Sequence, residues 1–257
     1  MSDRKLLPGK FVWFEHESRD PKRAQGFYGE LFGWRMQPSP MGSYTYEMIY
    51  AGDEMTGGYA KLDKPDAPAR WMACVSVEDV DAAARAAAAN GGRVVDAPMP
   101  IPGVGRIARI ADPQGAELHV FRSDAGDPPD THRATPGRWA WNELHTNDAA
   151  AALAFYDKVV GFASKAMDMG PGGVYQVISS KDGAGRGGVS TELRPGVAPH
   201  WLPYVFVADA DATASRARML GATVVMPPTD IPTVGRIAVF TDPTGAKLAI
   251  LEPAPGM

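Results

Sequence analysis

The chain has a single cysteine, Cys74, among 257 residues. That excludes an intramolecular disulfide and any Cys-x-x-Cys knuckle for zinc. Mid-strand and with no positioned base, Cys74 reads as a small buried hydrophobe. Positive charge is also scarce. Lys and Arg number 26 against 30 Asp and Glu, a net charge of −4. This leaves no basic stripe for nucleic acid and no polybasic patch for a membrane surface. No apolar run approaches the roughly 20 residues of a membrane-spanning helix. The opening Met-Ser-Asp-Arg-Lys-Leu-Leu-Pro lacks the apolar stretch of a signal peptide. The expectation is a soluble, cytoplasmic protein. Its partner would be a small molecule and not nucleic acid or membrane, and it would be a monomer or homodimer. Two catalytic signatures are missing as well: no Gly-x-Ser-x-Gly elbow, and no dinucleotide fingerprint after a strand. Gly183-Ala-Gly-Arg-Gly-Gly188 has the glycines of a phosphate loop but neither the terminal Lys-Ser/Thr nor a following helix, so it predicts a hairpin loop.

What is present is a repeat. Ile101–Phe121 returns as Ile231–Leu251, with twelve of twenty-one paired positions identical. Chance gives about one or two at average residue usage, so the chain is an internal duplication. Each copy reads as a hairpin joined by Asp-Pro-x-Gly, which suits a type I turn. Alternation puts Glu117, His119 and Phe121 on one strand face, and Lys247, Ala249 and Leu251 on the matching face. Upstream of each hairpin the same order recurs. Strand, helix and three strands follow one another from Trp13 and from Trp71, and again from Trp141 and from Trp201. Asp20, Asp79, Asp148 and Asp209 stand as helix N-caps, and Gly33 as a C-terminal stop. Phe27-Tyr28 and Phe155-Tyr156 lie on apolar helical stripes and read as core. Ser123 to Pro136 is rich in Asp, Gly and Pro without periodicity and reads as a linker. The fold class is therefore α+β, with four βαβββ modules paired into two domains at 9–122 and 137–253 around a linker at 123–136. Pairing two modules would close their open sheet faces into a curved cup.

This pattern resembles the vicinal oxygen chelate superfamily, which includes glyoxalase I, bleomycin-resistance proteins and extradiol dioxygenases. The carriers are Asp20…Phe27-Tyr28…Leu31-Phe32-Gly33, Asp148…Phe155-Tyr156…Gly161, and the two Asp-Pro-x-Gly hairpins. The resemblance covers about Gly9 to Glu252 and points to a tandem bacterial glyoxalase-like subgroup. It implies two glyoxalase-like domains with curved mixed sheets. It also implies where a divalent metal would be held: by a His, Gln or Glu early on the first strand of a module, and by a Glu on the last strand, seven residues after the turn Asp. The first-strand places fall on Trp13, about Met72, Trp141 and about Leu202, none a ligand type. The last-strand places fall on His119 and Ala249. One potential ligand does not make the three of a catalytic metal site. The expectation is no cofactor, with a divalent metal the less favoured alternative.

Two constellations follow from alternation. In the first half Trp13, Glu15 and Glu17 share a face, and Glu15 with His119 would make a carboxylate–imidazole pair for general base catalysis. A structural alternative pairs Glu15 and Glu143 with the recurring Arg106 and Arg236. In the second half Trp141, Glu143 and His145 share a face, with His200 and Glu192 near enough in the pattern for a shifted metal site. Trp13, Trp71, Trp141 and Trp201 each open a module and would form either an aromatic wall for a planar ligand or a core layer. Three functions stay open: a metal-independent small-molecule binder, a metal-dependent lyase, isomerase or dioxygenase of the glyoxalase type, and a structural or partner-binding protein.

Overall fold

The computed structural model describes residues 5–41, 44–64, 66–130, 134–169, 173–191, 193 and 196–256. The first half runs β1 (Phe11–Ser18), α1 (Pro21–Phe32), β2 (Arg35–Met41), β3 (Tyr44–Ala51) and β4 (Glu54–Lys61). It continues as β5 (Arg70–Ser76), α2 (Val80–Ala89), β6 (Arg93–Ile101), β7 (Gly105–Ala111) and β8 (Glu117–Ser123). The second half repeats this as β9 (Trp139–His145), α3 (Ala149–Val160), β10 (Ala163–Asp168), β11 (Val174–Ser179) and β12 (Gly185–Ser190). It ends with β13 (His200–Phe206), α4 (Ala210–Met219), β14 (Thr223–Ile231), β15 (Gly235–Thr241) and β16 (Lys247–Pro253). The four βαβββ modules are as the repeat predicts.

Two eight-stranded mixed sheets result, with orders β2-β3-β4-β1-β5-β8-β7-β6 and β10-β11-β12-β9-β13-β16-β15-β14. Within a module the helix carries the chain across, so the first strand runs parallel to the last: β1 to β4 and β5 to β8. The remaining pairs inside each module are antiparallel. Every helix starts where a capping aspartate predicts. Asp20, Asp79, Asp148 and Asp209 each accept the backbone N–H three residues on. Gly33 and Gly161 end α1 and α3 in the left-handed conformation.

Compactness divides the chain into two units. Unit 1 comprises Met1–Val12, Ala73–Thr131 and Trp141–Trp201, and unit 2 comprises Trp13–Met72, His132–Ala140 and Leu202–Met257. Unit 1 therefore centres on the second and third modules and unit 2 on the first and fourth. In unit 1 one core runs from Val75, Val80, Ala83 and Ala87 through Ile110, Leu118 and Val120 to Leu144, Phe155, Tyr156 and Trp201. The expected linker is anchored within this unit. Asp127 is buried, and its Oδ2 accepts from Leu7 N–H and Ser76 Oγ, each at 2.6 Å.

The helical Phe-Tyr pairs are core, with a polar purpose that periodicity does not reveal. In unit 2 Tyr28 donates to Oδ2 of Asp242 at 3.0 Å, and Trp71 Nε1 donates to the Tyr28 hydroxyl at 2.8 Å. In unit 1 Tyr156 and Asp112 stand at 3.4 Å, with Trp201 Nε1 donating to Tyr156 at 3.0 Å. Both aspartates are the first residue of an Asp-Pro-x-Gly turn. Oδ1 of Asp112 accepts the N–H of Gln114 and Ala116, while Oδ1 of Asp242 accepts those of Thr244, Gly245 and Ala246. Each carboxylate thus closes its own hairpin with one oxygen and receives a helix tyrosine with the other.

The preceding hairpins contain a point of strain. The N–H of Val104 bonds to Ile101 O, and that of Val234 to Ile231 O, around Pro102-Gly103 and Pro232-Thr233. Proline at the second place with positive φ at the third is a type II turn, which calls for glycine there. Gly103 has φ 73°, but Thr233 takes φ 65° with a β-branched side chain. Thr233→Gly is expected to raise stability by about 1 kcal/mol, visible as a higher urea midpoint at unchanged slope. A lower midpoint would show that Thr233 is not strained.

Candidate functional site

Alternation along β1 and β9 separates a buried face from a more open one, and the same tripartite network lies on the open face in both halves. In unit 2 Trp13 Nε1 donates to the Tyr46 hydroxyl at 3.1 Å, and that hydroxyl donates to Glu15 Oε2 at 2.6 Å. In unit 1 Trp141 Nε1 donates to the Tyr175 hydroxyl at 3.0 Å, and Tyr175 bonds in turn to Glu143. Burial, followed by the charge of Glu143, holds the Tyr175 phenol well above its ordinary pKa, so it stays a donor.

A glycine makes each network geometrically accessible. Glu15 pairs across the sheet with Gly58, and Glu143 with Gly188. A Cβ on Gly58 would run into the Tyr46 ring and hydroxyl, and one on Gly188 into those of Tyr175. The tyrosine from the third strand of the module lies flat over a bare stretch of the fourth to reach the glutamate on the first. The Gly-Gly pairs at 57–58 and 187–188 are the signal for this in the sequence, where the first pair falls within a predicted strand and the second within the expected hairpin loop.

Two residues on from the glutamate the halves diverge. In unit 2 Glu17 is buried and forms an ion pair with Arg70 Nε at 2.7 Å. In unit 1 the same places hold His145 and His200, whose rings stack at 5.2 Å with only 10° between their planes. Glu143 Oε2 stands 2.8 Å from His145 Nε2, off the line of a ring N–H, so the two do not form a linear hydrogen bond. His200 Nδ1 lies 2.9 Å from Ala198 O.

The four module-opening tryptophans thus fall into two classes. Trp13 and Trp141 are half-buried on the open face. Trp71 and Trp201 are only 4% and 5% exposed, and their indole N–H groups are committed to Tyr28 and Tyr156. They belong to the core and do not line a ligand wall. Their strands are buried on both faces, which alternation cannot show.

Arg106 and Arg236 do not pair with Glu15 and Glu143. Arg106 grips Asp81 through Nε and Nη2 at 2.6 and 2.8 Å, and Arg236 grips Asp211 at 2.6 and 3.0 Å with Asp230 at 2.9 Å. Asp81 and Asp211 sit in the first turns of α2 and α4, and Asp230 lies on β14. His119 lies on β8 in unit 1, in register with Cys74 and Arg109, whereas Glu15 belongs to unit 2.

The donor set does not fit the family's metal. Met72, Leu202 and Ala249, at three of the implied ligand places, are buried apolar residues. Among the described residues no group of three or more His, Cys, Asp and Glu is placed to hold an ion. Of the shifted set, Glu143, His145 and His200 do come together, but with stacked imidazoles; Glu192 lies outside the described residues. Two surface clefts of about 450 and 650 Å³ occur in unit 1 near the start of α2, and no candidate site residue lines either. No described helix is long and apolar enough to cross a membrane.

Comparison with known proteins places this geometry. Residues 139–250 match the model of the Glyoxalase/Bleomycin resistance protein/Dioxygenase superfamily, and residues 13–121 match that of a glyoxalase-like domain. The chain is 37% identical over 249 residues to "Putative glyoxylase CFP32" of Mycobacterium bovis, covering 95% of this chain and 94% of that protein. It is 31% identical over 264 residues to "Anthracycline biosynthesis protein DauV" of a Streptomyces species, covering 96% and 94%. Among solved structures it resembles the Mn(II)-bound glyoxalase from Novosphingobium aromaticivorans, with a TM-score of 0.60 and 17% identity over 98% of this chain and 89% of that one. At that identity the likeness concerns the fold alone.

Proposed function

Because the chain belongs to the glyoxalase/bleomycin resistance protein/dioxygenase, or vicinal oxygen chelate, superfamily, we propose that it uses two strand faces of this fold to bind a small molecule without the family's metal. The observation that carries this reading is the duplicated Trp–Tyr–Glu network, Trp13–Tyr46–Glu15 and Trp141–Tyr175–Glu143. Each presents an indole and a phenol ring beside a carboxylate whose position is set from the side. Aromatic faces with one oriented polar group suit a planar, largely apolar ligand. The same reading includes a soluble cytoplasmic protein, monomeric or homodimeric, with no nucleic-acid or membrane partner. Two relatives, one named a putative glyoxylase and the other an anthracycline biosynthesis protein, are compatible with small-molecule work.

Calorimetric titration with Mn²⁺, Fe²⁺ and Zn²⁺ tests the metal half of the reading. Weak, non-saturating heats are expected, and tight stoichiometric binding would replace this reading with that of a metal-dependent enzyme. Tryptophan fluorescence against a panel of planar aromatics tests the other half. Saturable quenching is expected in the native protein, with a loss of about tenfold or more in affinity in the Trp13→Ala/Trp141→Ala double variant.

A further inference from the structure

The two sheets end on β2, β6, β10 and β14. A strand at a sheet end offers its outer N–H and C=O groups to any extended chain, and proteins blunt such edges with proline or a bulge. Three of the four are blunted here. β2 carries Pro38 and Pro40, whose spacing of two removes donors from one and the same edge. β6 carries Pro98 and Pro100, β14 carries Pro227 and Pro228, and each slips register twice against its neighbour. β10, Ala163-Ser-Lys-Ala-Met-Asp168, has neither device. It pairs with β11 in unbroken register, and all six of its residues are exposed.

The hydrogen-bond phase shows which groups face outward. Just past β10 the N–H of Met169 bonds to Gly173 O at 2.9 Å, in the register that continues to Met167 with Tyr175, Lys165 with Val177 and Ala163 with Ser179. Bonded and non-bonded pairs alternate along an antiparallel ladder. Ala163, Lys165 and Met167 therefore turn their backbone groups to β11, and Ser164 and Ala166 turn theirs to the open edge. We propose that β10 is a dimer edge of unit 1, where it pairs antiparallel with β10 of a second copy about a two-fold axis at Ala166. The edge is self-complementary in that register. Ala166 meets the partner's Ala166, Ser164 lies opposite the partner's Asp168, and Lys165 lies opposite the partner's Met167. The apolar stem of Lys165 then covers a methionine that is 45% exposed in the single chain. A slip of one residue turns the outward groups away from each other. A slip of two residues sets Lys165 against the partner's Lys165, an unfavourable like-charge pair, or in the other direction leaves Ser164 outside the ladder. Each chain has one such edge, so assembly closes at two copies. Met167 shares its sheet face with Tyr175, so the pairing carries the open face of unit 1 from one copy into the next.

Sedimentation equilibrium of the full chain tests this independently of what the open faces bind. A six-residue edge is a small interface, so a monomer–dimer equilibrium with a Kd on the order of 10–100 µM is expected. Ala166→Pro removes the outward N–H at the axis and no bond to β11. It should weaken dimerisation about tenfold or more at an unchanged urea midpoint. The Met167 variants read the register without touching the backbone. Met167→Glu sets a carboxylate opposite the partner's Lys165 and should tighten the dimer about two- to thirtyfold at low salt, whereas Met167→Lys should loosen it by a similar factor. A chain that stays monomeric well above that concentration range overturns the inference. So does an association that continues past the dimer, or a dimer of equal affinity in Met167→Glu and Met167→Lys. Each of these leaves the proposed ligand binding standing, because tryptophan quenching at low protein concentration does not depend on the dimer.

Discussion

Asp242→Ala is expected to lower unfolding stability by about 3–5 kcal/mol, the range for removing one member of a buried charged pair. The side chains of Asp242 and His16 are both fully buried, with Nε2 of His16 at 2.8 Å from Oδ2. The same oxygen receives Tyr28, and the other holds the N–H groups and hydroxyl of the turn, including Thr244 Oγ1 at 2.7 Å. Alanine would strand an imidazole and a phenol in the core and open the turn. Asp112→Ala is the internal control. It loses the turn and the Tyr156 bond but strands no imidazole, because Leu144 stands where the first half has His16. Its cost should be smaller, about 1–3 kcal/mol. Chemical denaturation of the two variants side by side checks this, and equal costs would show that His16 contributes nothing.

The two aspartates also predict opposite responses to acid. Burial pushes Asp242 up, but the hydrogen bond and charge of His16, with help from Thr244, outweigh it and hold the carboxyl below its ordinary value. A depressed folded pKa means that the unfolded chain takes up the proton first. The contribution of Asp242 is therefore complete above the ordinary carboxylate range and disappears as pH falls through the lowered value. For Asp112 burial prevails over the N–H groups of Ala116, Gln114 and Gly115 and raises the carboxyl. There the folded state takes up the proton first, so the same fall in pH relieves a penalty. Acid unfolding followed by fluorescence should show Asp242→Ala with a flattened acid limb and Asp112→Ala with a steeper one. A common slope for both would contradict the assignment.

The second large effect is expected from the core tryptophans. Trp71→Ala and Trp201→Ala should each cost about 3–5 kcal/mol, as large-to-small core substitutions of aromatics do. Trp71 packs edge-on against His16, Tyr28 and Trp139 with ring centroids 4.9–5.2 Å apart, and it bonds Tyr28. Trp201 stands edge-on to Tyr156 at 5.3 Å and leans on Phe11 at 5.4 Å. Trp13→Ala and Trp141→Ala remove half-buried rings and should cost roughly 1 kcal/mol, near the centre of the range for point mutants. Urea midpoints for the four single variants would separate the classes. Four equal losses would return all of them to one aromatic layer.

Much of this protein is legible along the chain because the relevant physics is local. Capping aspartates, glycine stops and Asp-Pro-x-Gly turns act within a few residues of themselves, and a duplicated sequence repeats them in register. Those features determine four βαβββ modules, and the matching of two family models to the two halves agrees with them. Alternation also puts Trp13 with Glu15, and Trp141 with Glu143 and His145, on shared strand faces. What a residue meets across space is a different matter. Tyr28 finds Asp242 at a separation of 214 residues, and Tyr156 finds Asp112 in the module before its own, because each buried hydroxyl needs an acceptor and only the packed helices decide which one is there. Neither Gly58, within a predicted strand, nor Gly188, in an expected hairpin loop, reveals its role until a tyrosine lies over it. Periodicity tells the face of a strand but not its neighbour. Tertiary packing alone set the imidazole of His145 against His200 and left Glu17 closed on Arg70.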